Sequence, residues 1–81
     1  MIKRSMTING HRTSISLEAD FWQALQHIAQ RQGCSLARIV ADIDIERSKR
    51  ISSGQDVGGL SSAIRLYILA ELMAIVASPN K

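Results

Sequence analysis

The stretch His11-Arg12-Thr13-Ser14-Ile15-Ser16-Leu17 decides how the rest of this 81-residue chain is read. Its residues alternate: Thr13, Ile15 and Leu17 fall on one side, Arg12, Ser14 and Ser16 on the other, the two-residue period of an extended strand with one apolar face. Thr and Ile are β-branched and favour that conformation. A strand by itself leaves its backbone N–H and C=O groups unpaired. No second convincing strand is visible, so the economical expectation is pairing with the same strand of a second chain. That makes an antiparallel two-stranded ribbon about a two-fold axis.

Upstream, residues 1–10 read as a flexible basic arm. Asn9-Gly10 is a turn signal that can close a hairpin, but the residues before it alternate poorly. Downstream, residues 18–32 read as a helix. Glu18 and Asp20 suit the positive end of its dipole, Phe21, Leu25, Ile28 and Ala29 make one apolar face that Trp22 widens, and Gly33 is the left-handed stop. A second helix spans 35–50, capped by Ser35, with Leu36, Ile39, Val40 and Ile43 inward. Residues 51–59 are Ser- and Gly-rich and read as a loop. Residues 60–77 form a third helix whose apolar positions nearly encircle it, so it is expected to be buried on several sides and to pack against a partner chain. Pro79 is expected to end it.

Length and composition bound the function. A chain this short buries only about 60% of its unfolded surface and usually needs a staple or a partner. Cys34 is the only cysteine, so no intrachain disulfide can form, and with His11 and His27 it makes too small a set for a structural zinc site. Self-association is the remaining route. Only Phe21, Trp22 and Tyr67 are aromatic, which argues against a large enclosed substrate pocket. The net charge of +3 lies wholly in the first half. Residues 1–40 carry five basic groups against two acidic ones, and the first seventeen carry no acid, a pattern that suits a polyanion partner. No secretory signal is evident, and a lone cysteine fits a reducing cytoplasm. The apolar stretch from Leu60 to Val76 is short for a membrane span and is interrupted by Arg65 and Glu71, so no membrane partner is expected.

The order strand, helix, Gly turn, helix at these lengths resembles the ribbon-helix-helix superfamily. The resemblance covers residues 11–50 and is carried especially by HRTSISL running into LEADFWQALQHIAQRQG, residues 11–33. LSSAIRLYIL also resembles the C-terminal segment of a small bacterial subfamily. The resemblance implies a mainly α fold with one short strand, a ribbon-helix-helix homodimer with an added C-terminal helix. The helix over 60–77 would serve dimer or tetramer packing. It also implies sequence-specific binding of double-stranded DNA and transcription regulation. The outward strand residues Arg12, Ser14 and Ser16 would touch base edges in the major groove, where a two-stranded ribbon fits and Arg can bond guanine O6 and N7. Ser35 with the backbone amides of Leu36 and Ala37 would hold a phosphate at a helix N-terminus, and Lys3, Arg4 and His11 would reach flanking phosphates. The ligand sets of the nickel-responsive relatives have no counterpart here, and no metal or other cofactor is implied.

One Arg and two Ser per strand form a thin base-reading set, which several dimers on a longer operator would offset. Two other readings compete. A protein–protein module, antitoxin-like or an adaptor, would use the last helix, although antitoxin tails of this fold are usually polar and disordered until bound. An enzyme would need a paired-carboxylate pocket, a phosphate loop, a metal signature or a nucleophile–base pair, and none is evident. Asp42, Asp44 and Glu46 read as a charged helix face, His27 as a boundary residue and Cys34 as a small turn residue.

Overall fold

The computed structural model describes residues 1–54 and 58–77. Two strands, β1 (Ile2–Ile8) and β2 (His11–Leu17), are followed by helices α1 (Ala19–Gln32), α2 (Leu36–Ser52) and α3 (Leu60–Ala77). β1 and β2 pair antiparallel within the chain, with Ile8 opposite His11 and Ile2 opposite Leu17. This corrects two expectations. Residues 2–8 are a strand rather than a flexible arm, and β2 is paired without any second chain. The turn explains how. Asn9 and Gly10 both have positive φ, 49° and 80°. That is the two-residue turn whose twist matches a right-handed hairpin, and Asn-Gly is the pair that tolerates it best.

Opposite residues in an antiparallel pair share a face. The inner face therefore carries Ile2 and Leu17, Arg4 and Ile15, Met6 and Thr13, and Ile8 and His11. Ile8, Ile15 and Leu17 are buried there. Arg4 stands where an apolar residue would complete the alternation of β1. It stays exposed and lays its guanidinium 5.1 Å from the centre of the Trp22 ring, so its stem covers apolar surface while its charge remains wet.

The helices follow the expected pattern with small shifts. α1 buries Trp22, Leu25, Ile28 and Ala29, with Phe21 half-buried at the margin. Gly33 ends α1 in the left-handed region. α2 buries Ile39, Val40 and Ile43, and Ser35 caps it by accepting the Arg38 N–H at 3.1 Å. α2 runs on to Ser52, two residues past the expected end, so residues 51 and 52 are helical rather than loop. The rest of the expected loop falls partly on residues 55–57, and the stop at Pro79 on residues 78–81, which lie outside the described residues. α3 completes the core from the same chain with Ile64 and Ile68, both essentially inaccessible. The resulting core joins the inner face of the hairpin to all three helices.

Glu18 and Arg65 lock the junction between β2, α1 and α3. Arg65 donates to Glu18 Oε1 from Nε at 3.1 Å and from Nη2 at 3.0 Å, and its guanidinium lies 5.7 Å from the Phe21 ring centre. The Glu18 carboxyl is held below the ordinary glutamate range, first by a hydrogen bond from its own backbone N–H, then by Arg65. A depressed carboxylate adds stability above its unfolded pKa and loses it as pH falls through the folded value. Thermal melts of the wild type should therefore drop on acidification below about pH 4.3, the unperturbed glutamate value. Glu18→Gln should melt lower at neutral pH and lose less over that acid range; parallel pH profiles for the two proteins would refute the assignment.

Candidate nucleic-acid interface

The outer face of the hairpin is the chemically distinctive surface. Its facing pairs are Lys3 with Ser16, Ser5 with Ser14, and Thr7 with Arg12. All six side chains are polar, two are cationic and none is acidic. Five of the residues are exposed and Ser16 is half-buried. The Ser5 and Ser14 hydroxyls lie 3.2 Å apart, within hydrogen-bond distance across the strands. Lys3 and Arg12 stand on different strands toward opposite ends of the hairpin, so positive charge flanks a central patch of hydroxyls.

Three hydrogen bonds fix this face to the body. Trp22 Nε1 donates to the Ile2 carbonyl at 2.8 Å, Ser61 Oγ to the Ser16 carbonyl at 3.1 Å, and Asn9 Nδ2 to the Ala41 carbonyl at 3.2 Å. Each of the three helices thus holds the hairpin at a different point. The first two bonds grip its open end and the third grips its turn. A recognition surface held this way needs little ordering when it binds.

Arg12, Ser14 and Ser16 share the outer face, as their alternation implied, and Lys3 joins them there. Ser5 and Thr7 are further members that the reading of β2 alone missed. The signal that finds them is the Asn9-Gly10 turn, because a two-residue loop fixes the register and places 7 opposite 12 and 5 opposite 14. Arg4 and His11 lie on the inner-face register instead. His11 is exposed at the hairpin tip and lines an open cleft with Asn9, Asp44, Ser48 and Lys49. Ser35, Leu36 and Ala37 stand at the start of α2. The Ser35 hydroxyl is engaged as a helix cap, while the amides of the first helical turn have no acceptor within their own helix. Cys34 beside them is a half-buried free thiol.

Among the described residues no group of three or more His, Cys, Asp or Glu side chains is placed to hold a metal ion. The groove between α2 and α3, lined by residues including Glu46, Arg47, Arg50 and Tyr67, encloses only about 150 Å³. That is below the roughly 300 Å³ at which small-molecule pockets begin.

A two-stranded ribbon with a polar outer face, backed by a helical body, defines a class of small β-ribbon binding domains. The family model of the ribbon-helix-helix domain matches residues 1–72, and the chain belongs to that family. The matched residues include both β1 and β2. The family is generally associated with DNA binding and transcription regulation and is not an enzyme family. Comparison with curated proteins and with solved structures found no match.

Proposed function

We propose that this chain is a cytoplasmic transcription regulator that binds double-stranded DNA sequence-specifically as a homodimer, with the outer face of its hairpin in the major groove. The observation that carries the reading is the polar, acid-free face of Lys3, Ser5, Thr7, Arg12, Ser14 and Ser16 on a hairpin tied down at both ends. The expectation that β2 needs a twin strand no longer supports it. The ribbon is complete within one chain, and each protomer presents a whole two-stranded reader. The major groove admits such a ribbon. Arg12 reads guanine, the hydroxyls bond base edges with less discrimination, and Lys3 reads an edge or a phosphate near the open end. Ser35 with the Leu36 and Ala37 amides, together with Arg4 and His11, supply phosphate contacts beside that face.

The test is binding to a selected and a random duplex across a salt series. The selected duplex should bind 10³-fold tighter or more, and log Kd should rise steeply with log salt, by about 0.9 for each phosphate contacted. Equal affinity for both duplexes with a shallow slope would refute a DNA-reading function.

A further inference from the structure

The turn of the hairpin and the last turns of α2 face each other across an open cleft of about 540 Å³. That falls within the roughly 300–1,000 Å³ of small-ligand sites, unlike the groove between α2 and α3. Asn9 and His11 form one wall. Asp44, Ser48 and Ser52, spaced four residues apart, form the other with Lys49, on one face of α2. The Asn9 amide is bonded to the Ala41 carbonyl at 3.2 Å, which fixes the separation of the two walls. The donors between them are uncommitted. The serine hydroxyls that hydrogen-bond among the described residues are those of Ser5, Ser14, Ser35, Ser53 and Ser61, which leaves Ser48 and Ser52 available. Lys49 takes part in no ion pair among the described residues. His11 is exposed, and an imidazole offers at least one N–H in either protonation state. Two features that would repel an anion are offset. Asp44, the acid that lines the cleft, has its Oδ1 3.6 Å from Arg47 Nη1, with both side chains only 26% exposed. The negative end of the α2 dipole lies here, but three terminal carbonyls are bonded: Lys49 by the Ser53 N–H at 3.1 Å, Arg50 by Ser53 Oγ at 2.9 Å and Ile51 by the Gly54 N–H at 3.0 Å.

We infer that this cleft seats a phosphate group, with Lys49 supplying the charge and Ser48, Ser52 and His11 the hydrogen bonds to its oxygens. An ammonium and hydroxyls bonding to an ionised acceptor make strong, short contacts, and donors on two walls suit a tetrahedral oxyanion better than a flat carboxylate. The seat is separate from the N-terminus of α2, because Ser52 lies about 25 Å along the helix from Ser35. Its place relative to the hairpin points to a backbone phosphate of the bound duplex. Arg12 follows His11 in β2 and stands on the outer face, so the cleft begins one residue from the base-reading surface. A DNA strand whose bases meet Arg12 carries its backbone past the hairpin turn, and the cleft receives it there. That source rests on the proposed DNA-binding function. A free phosphomonoester held by the same donors does not, and the two are separable by experiment.

The test compares the full chain with Lys49→Ala and Arg50→Ala. Arg50 is the next residue and carries the same charge, but it lines the groove between α2 and α3 instead. Both residues are exposed, so circular dichroism should show the fold unchanged. Lys49→Ala should weaken every duplex about fivefold near 0.15 M salt and reduce the salt slope by about one unit, with base preference kept. Arg50→Ala should change affinity less than about twofold. Ser48→Ala/Ser52→Ala should also weaken binding but leave the slope as it is, which a long-range charge effect cannot do. Without DNA, the amide shifts of His11, Ser48 and Lys49 are followed as inorganic phosphate replaces chloride at constant ionic strength. Duplex weakening in Lys49→Ala supports the seat with DNA as its source. Saturable phosphate shifts that vanish in Lys49→Ala, with duplex affinity unchanged, support the seat with a free phosphomonoester as its source. Equal behaviour of Lys49→Ala and Arg50→Ala in both assays would overturn the inference, as would the absence of phosphate shifts with duplex binding absent or unaltered. A wild type with saturable phosphate shifts but no duplex preference would fault the DNA reading alone.

Discussion

Arg12→Ala is expected to weaken binding to a selected duplex by about 1–3 kcal/mol for each contacted half-site, roughly 5- to 150-fold in affinity per half-site. It should also flatten the preference at one base position while leaving the melting temperature nearly unchanged. Arg12 sits on the outer face opposite Thr7, is exposed, and takes part in no ion pair among the described residues, so its removal disturbs no packing. The large effect comes from geometry. A guanidinium presents two donors to guanine O6 and N7 together, and its removal leaves both acceptors without partners. Lys3→Ala supplies the contrast. Without the ammonium to neutralise a phosphate, affinity falls for all duplexes alike and the salt slope shrinks by about one unit. Arg4→Ala supplies the control, because Arg4 lies over Trp22 on the inner-face register. It should change stability, and affinity for all duplexes alike, more than base preference. If Arg4→Ala flattens the preference and Arg12→Ala does not, the two faces of the hairpin have been assigned the wrong way round.

The division between those two arginines also marks where the sequence was legible. β2 could be read because every inward position, Thr13, Ile15 and Leu17, suits a buried face, so the outward placing of Arg12, Ser14 and Ser16 followed. β1 could not, although it obeys the same period. Ile2, Arg4, Met6 and Ile8 share one face, and a charged residue in that series hides the alternation until Trp22 is seen beneath it. Asn9-Gly10 is the local signal that outweighs Arg4, since two positive φ values in succession are seldom needed outside a tight hairpin. The helices were legible because their faces repeat over three or more turns and their ends carry Ser35 and Gly33. What periodicity could not rank was Trp22 against Phe21. Both fit the face of α1, and the choice depends on a carbonyl, that of Ile2, from a strand the alternation had concealed. By sequence, the apolar positions of the third helix nearly encircle it. Finding which side the body covers required the packing of Ile64 and Ile68.

Trp22→Ala is expected to be the most damaging single change, costing about 3–5 kcal/mol of folding stability. Trp22 is 2% exposed and lies in the core with Ile15, Leu17 and Leu25. A domain of this size has a total stability of roughly 4–12 kcal/mol, so the urea midpoint should fall steeply and a sizeable unfolded fraction should appear at physiological temperature. DNA binding should fall with it although Trp22 faces away from the outer surface, because β1 loses the side chain that covers its inner face and the N–H that holds Ile2. Trp22→Phe separates the two contributions. It keeps most of the buried ring but removes the 2.8 Å bond to the Ile2 carbonyl, a loss of about 1–2 kcal/mol, and its effect should be local. The first residues of β1 would loosen while the Asn9-Gly10 turn stays held through Ala41. Amide exchange should then speed up at Lys3 and Arg4 more than at Thr13 or Ile15. In DNA binding the salt slope should shrink as Lys3 becomes mobile, while the base preference set by Arg12 at the held end survives. If Trp22→Phe instead abolishes base preference with the fold intact, the two ends of the hairpin do not act separately, and reading by β2 requires a fully anchored β1.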